Sequence, residues 1–150
     1  MSLIIVSPAS FVSFFTFSAC SGVIPGPALD HYNRGVRAYD AGHYDEAIAE
    51  YREAIRLDST LGVAHLNLGL CYLERSNWLN GAEQEFNEAL KYLDEPHTIS
   101  LAENNLGVVY ERRGEFQQAC EQYRVAISLD ETNHLAQGNL ERLRQAGLCD

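Results

Sequence analysis

The chain is 150 residues long, 46% hydrophobic and 21% charged, the balance of one globular domain. Its 21 acidic residues against 11 basic ones leave a formal charge of -10. That charge argues against nucleic acid, or an anionic membrane surface, bound through basic patches.

The first 29 residues carry no charge, and Asp30 is the first ionisable side chain. The opening stretch MSLIIVSPASFVSFFTFSACSG is apolar with small polar interruptions. Residues 1–27 are therefore expected to form a targeting or anchoring segment with a linker, outside the folded domain. The tetrad Phe17-Ser18-Ala19-Cys20 resembles the lipobox of bacterial lipoprotein signal peptides. That resemblance implies lipidation at Cys20, and Ser21 after it implies sorting to the outer membrane, facing the periplasm. No Lys or Arg precedes the apolar run and Phe17 stands where Leu is usual. A cleaved secretory signal, an uncleaved anchor and a cytoplasmic chain with a disordered N-terminus stay open beside it.

From residue 28 the pattern changes. Residues 28–61 show apolar and small residues at helical spacing in two blocks, divided by Ala41-Gly42-His43. The same arrangement returns at about 62–95 and 100–133. Gly35, Gly69 and Gly107 lie 34 and 38 residues apart, and Ala47, Ala82 and Ala119 lie 35 and 37 apart. A period near 34 with two helices per unit marks a solenoid. In repeat two Ser76-Asn77 replaces the inner-turn Gly, and before repeat three Pro96 is expected to stop the second helix. Residues 134–146 read as a seventh, capping helix with Leu135, Leu140 and Leu143 inward, ended by Gly147.

As a set, these positions resemble the tetratricopeptide repeat. Repeat one supplies Gly35, Gly42, Tyr44, Ala47, Tyr51 and Ala54. Repeat two supplies Leu68, Gly69, Tyr72, Trp78, Ala82, Phe86 and Ala89. Repeat three supplies Leu106, Gly107, Tyr110, Gly114, Phe116, Ala119, Tyr123 and Ala126. The resemblance implies an all-α, right-handed superhelix of three helix-turn-helix repeats plus the cap, spanning 28–146. Gly69 and Ala82 are expected where two helices touch.

Little in the chain reads as chemistry. No GxSxG, P-loop or HExxH pattern occurs, and no CxxC pair, so neither catalytic residues nor a metal or other cofactor is expected. Cys71 and Cys120 read as small buried hydrophobes, with Cys149 unassigned. His31 and His65 fall at one repeat position and read as packing residues.

Binding is the class that fits. The resemblance places the first helices of the repeats along a concave groove. Its columns are Leu29, Val63, Leu101 and Leu135; Tyr32, Leu66, Asn104 and Gly138; Val36, Leu70, Val108 and Arg142; and Tyr39, Leu73 and Glu111. Such an apolar face marks a partner site, or is covered by the preceding segment, around residues 21–28. Asn33, Asn67, Asn105 and Asn139 recur at one register position. In related repeats an Asn ladder there grips a peptide backbone, because an amide both donates and accepts; the alternative is a habit of the fold. The amides are expected to face solvent in the unbound protein. Family members that clamp the C-terminal carboxylate of chaperones use Lys, Arg and Asn at fixed places. Here those places hold Tyr32, Val36, Asn67, Leu101 and Asn105, and only Asn67 matches. The expected function is a non-catalytic module binding a peptide or helix of another protein, on an envelope assembly lipoprotein. A cytosolic scaffold or a regulatory subunit of an enzyme is the alternative.

Overall fold

The computed structural model describes residues 26–75 and 78–149. Within them the chain is entirely helical. Seven helices follow in order: α1 Pro27–Asp40, α2 Tyr44–Leu57, α3 Gly62–Glu74, α4 Leu79–Tyr92, α5 Pro96–Arg113, α6 Phe116–Leu129 and α7 His134–Gln145. Three antiparallel hairpins, α1/α2, α3/α4 and α5/α6, pack in series, and α7 closes the last one against α6. Cys20, Ser76 and Asn77 lie outside the described residues.

The glycine positions explain why each hairpin closes. A Cβ on Gly35 would lie 2.6 Å from the Tyr51 ring; on Gly69, 2.5 Å from Phe86; on Gly107, 2.5 Å from Tyr123. Carbon atoms do not approach so closely, so only a hydrogen fits between the backbone of the first helix and the ring of the second. The three rings are fully buried, and Ala47, Ala82 and Ala119 beside them are equally so. Gly69 and Ala82 thus sit in the interhelical contact, as expected.

The inner turns of repeats one and three use Gly42 and Gly114 at φ 76° and 79°, a left-handed conformation that a Cβ disfavours. The turn before repeat three departs from expectation. α4 ends at Tyr92, short of Pro96, but Pro96 does not lie in a linker: it opens α5. A proline is at home in the first turn, where its missing N–H has no intrahelical partner. The linker is thus partly absorbed into an 18-residue helix, one turn longer than a start near residue 100 implies.

Two devices fix the cap. Asn133 caps α7, its side chain accepting from the Ala136 N–H at 3.0 Å. Its Nδ2 donates to Ser100 Oγ at 2.8 Å, and that hydroxyl donates to the Ala126 carbonyl at 2.7 Å. One buried network therefore joins α5, α6 and α7. The second device corrects the cysteine reading. Cys120 is not a lone hydrophobe but is bonded to Cys149, with Cα atoms 6.0 Å apart, while Cys71 is buried and free. The chain turns back after α7, with the Leu148 N–H donating to the Leu143 carbonyl, and this brings Cys149 onto α6. Closing such a loop restricts the unfolded chain and is worth about 2–4 kcal/mol.

Gly69→Ala should therefore destabilise the protein by about 1–3 kcal/mol through overpacking. Gly138→Ala, on α7 with nothing near the added carbon, should stabilise it by about 0.5–1 kcal/mol. Urea midpoints measure both, and equal effects would refute the hairpin register. The aromatic positions give a second contrast. The Tyr51 hydroxyl is buried without a partner, whereas the Tyr123 hydroxyl donates to Glu111 at 2.9 Å. Tyr51→Phe should be neutral or stabilising and Tyr123→Phe should cost about 1 kcal/mol, read from the same midpoints.

Candidate peptide-binding groove

The first helices, α1, α3 and α5, carry the residues assigned to the groove. On α3 Gly69 faces the Phe86 ring of α4, and at 100° per residue Leu73, Leu66 and Leu70 lie about 40°, 60° and 100° round the helix from it. The structure brings these side chains into an apolar wall with Val36, Tyr39, Leu101 and Val108, all buried, while Tyr32 is half-buried at one end. At the other end Gly138 and Arg142 are exposed. Arg142 makes a two-pronged pair with Glu111, at 2.6 and 2.8 Å, which ties the cap to α5.

The asparagines do not face solvent as expected. Asn67 is 2% exposed and Asn105 1%; Asn139 is also buried, and only Asn33 is open. The reason is a bond between repeats. Asn67 Nδ2 donates to the Tyr32 hydroxyl at 3.2 Å, and Asn139 Nδ2 donates to Asn104 Oδ1 at 3.1 Å. In each case the recurring amide reaches the residue one place earlier in the register of the preceding unit. Asn33 has no preceding hairpin to reach. For Asn105 the corresponding residue is Leu66, which cannot accept.

This leaves a local surplus of bonding capacity. Asn104 Nδ2 and Asn105 Oδ1 are buried and have no hydrogen-bond partner. Buried amide atoms left unpaired cost about 1–3 kcal/mol each.

The ionisable groups nearby are structural. Burial pushes the Cys71 thiol up to about 12, so it stays protonated and is no nucleophile. His65 is buried between α3 and α4, with Nδ1 2.7 Å from Glu85 and Nε2 3.2 Å from the Ser59 carbonyl. Both partners are acceptors, so both ring nitrogens must carry hydrogen. Burial alone would lower the His65 pKa, but the Glu85 carboxylate and the Ser59 carbonyl outweigh it and raise it. Among the described residues no cluster of three or more His, Cys, Asp or Glu could hold a metal ion. No described helix is long and apolar enough to cross a membrane.

Two repeat families match the chain: TPR repeat over residues 35–75 and Tetratricopeptide repeat over residues 100–133, together half of its length. The chain belongs to the tetratricopeptide repeat family. Its fold is similar to that of the Arabidopsis OM64 TPR domain, with TM-score 0.72 and 24% identity, covering 79% of this chain and 94% of that one. It is similar also to the first TPR of Spaghetti (RPAP3) bound to an HSP90 peptide, with TM-score 0.71 and 24% identity, covering 79% and 91%. At such identities the likeness speaks to the fold. In sequence, 31% of 91 residues match the photosystem I assembly protein Ycf3 of Synechococcus, over 58% of this chain and 50% of that protein. A protein O-mannosyl-transferase of Caenorhabditis elegans shares 33% over 81 residues, 54% of this chain and 11% of its own. The chain thus spans half or less of the length of these relatives.

The inter-repeat pairs were hidden in the sequence only in part. A polar residue at the position of Tyr32 or Asn104, one repeat before an Asn, is the signal that could have found them.

The His65 pair predicts a pH dependence. A folded-state pKa raised above the unfolded value adds stability that is fully present below about pH 6.5 and is lost as pH rises through the folded pKa. His65→Phe should therefore lose more stability relative to the parent at about pH 5.5 than at about pH 8.5. Urea unfolding at the two pH values checks the sign.

Proposed function

We propose that this protein is a non-catalytic interaction module whose concave wall holds an apolar peptide or helix of another protein. The observation that carries this reading is the unpaired donor and acceptor of Asn104 and Asn105, buried on α5 between Leu101 and Val108, each about one turn away. Apolar side chains of the ligand would supply most of the affinity by burial, and one polar group would satisfy the two amides. The relatives support the class. Solved tetratricopeptide domains hold peptides, as in the human RPAP3 domain in complex with an HSP70 peptide, and Ycf3 is named for assembly. The ligand here differs in kind from those acidic chaperone tails. Tyr32, Leu101 and Asn105 stand where a carboxylate clamp needs basic residues, so binding should change little with salt.

An assembly role at the cell envelope, with Cys20 as lipid anchor, is part of the same proposal. The Cys120–Cys149 disulfide supports it, because such bonds persist in oxidising compartments.

The test is affinity capture from the native cell, followed by titration of the captured protein. Asn105→Ala removes an acceptor that has no partner within the fold, so its unfolding midpoint should match or exceed the parent's. Its affinity should fall about fivefold, the equivalent of about 1 kcal/mol. Asn67→Ala should instead lose stability, because it breaks the bond to Tyr32. An Asn105→Ala protein that binds its partner as the parent does would remove the groove as the site.

A further inference from the structure

Every described helix but α7 has a hairpin partner. α7 has 12 residues, of which Ala136, Asn139, Leu140 and Leu143 are buried. A helix so short is marginal by itself in water, so its place depends on what fastens it to the stack. Three polar links reach one face of α5. Asn133, the cap residue of α7, bonds Ser100; Asn139 bonds Asn104; Arg142 pairs with Glu111. At 100° per residue, Ser100, Asn104 and Glu111 fall within about 40° of one another. The other fastening is covalent. The N–H groups of Ala146, Gly147 and Leu148 donate to the carbonyls of Arg142, Arg144 and Leu143. The tail is thus tied to α7 and moves with it, and the Cys120–Cys149 bond joins the two to α6. The two sulfurs differ in access. Cys120 is fully buried on α6, whereas Cys149 is half-buried on an irregular tail, just after the exposed Ala146 and Gly147.

We propose that the Cys120–Cys149 bond is a redox latch on α7, opened by a thiol that attacks Cys149. The incoming thiolate bonds to Cys149 Sγ. The bond to Cys120 breaks, and its electron pair leaves on Cys120 Sγ, which takes a proton. A second thiolate then displaces the first from Cys149. Two small thiols are thereby oxidised to one disulfide, and the protein disulfide is reduced to two thiols. Attack on Cys120 is blocked, because none of its surface meets solvent. Once the bond is open, α7 keeps only its noncovalent links. It then opens locally, while the three hairpins hold one another as before. The face of α5 so uncovered carries Ser100, Asn104 and Glu111. Asn104 belongs to the proposed peptide site, so the latch sets access to that end of the wall. That last consequence rests on reading the concave wall as a peptide site; the latch itself does not.

The experiment uses the full chain in two arms. In the first, the oxidised protein is incubated with reduced glutathione, quenched in acid, capped with N-ethylmaleimide in urea and mapped by mass spectrometry. Glutathione is expected on Cys149, with maleimide on Cys120. Glutathione on Cys120, or on neither cysteine, overturns the proposal. In the second, hydrogen exchange is followed in the parent, in the parent reduced with dithiothreitol, and in Cys149→Ser. Amides of Leu140 to Leu143 should exchange at least about thirtyfold faster in the two open forms, the low end of what a disulfide contributes. Amides of α3 should keep their protection. Unchanged protection of α7 overturns the latch. Equal loss of protection in α3 and α7 overturns it too, because the bond would then stabilise the whole fold and not one helix. Neither arm needs a partner protein, so the latch and the groove can each fail alone.

Discussion

Once per hairpin a glycine backbone lies so near an aromatic ring of the second helix that no Cβ fits between them: Gly35 at Tyr51, Gly69 at Phe86, Gly107 at Tyr123. Everything else depends on that distance. With the two helices of a hairpin so near, the ring is sealed from water, and the small Ala47, Ala82 and Ala119, one turn earlier on the same helix, are buried with it. The apolar residues that remain on the first helix cannot be buried within the hairpin. They must be covered by the next hairpin or by a ligand, and that shortage makes a stack out of the units.

The recurring asparagine belongs to the same logic one level up. Hairpins that stack through apolar contacts alone could slide. A buried amide that must find a partner in the preceding unit fixes the step, because a wrong register leaves it unpaired in an apolar setting. Asn67 with Tyr32 and Asn139 with Asn104 fulfil this. Between the second and third hairpins the rule lapses, since Leu66 offers no acceptor. The site reading rests on that lapse, and the unpaired amide atoms lie where the rule is broken.

How much of this was legible follows from which forces are local. The period of Gly and Ala, the left-handed turns at Gly42 and Gly114 and the cap at Gly147 are set by residues a few positions apart, and each stands where the pattern puts it. The start of α5 was missed because a proline that ends one helix can also open the next, and the pattern near residue 100 does not show the extra turn. The Cys120–Cys149 bond depends on a three-dimensional return of the tail that no spacing encodes. The exposure of the asparagine amides was misjudged for a related reason. Register tells which way Asn67 points, but what stands opposite it is a matter of tertiary structure.

The disulfide makes the two ends of the stack unequal. A solenoid is held together by its neighbours and loses units from its termini inward. Here the last unit cannot peel away, because the tail beyond α7 is covalently fastened to the middle of the preceding hairpin. Fraying therefore has a direction, starting at α1 and travelling toward α6, like a zipper with one slider. The loose end is also the one from which residues 1–25 depart, so any event that pulls on the N-terminus acts on the least secured helix first. Cutting one sulfur–sulfur bond would free the second end and change the order in which the repeats come apart, with every helix still intact.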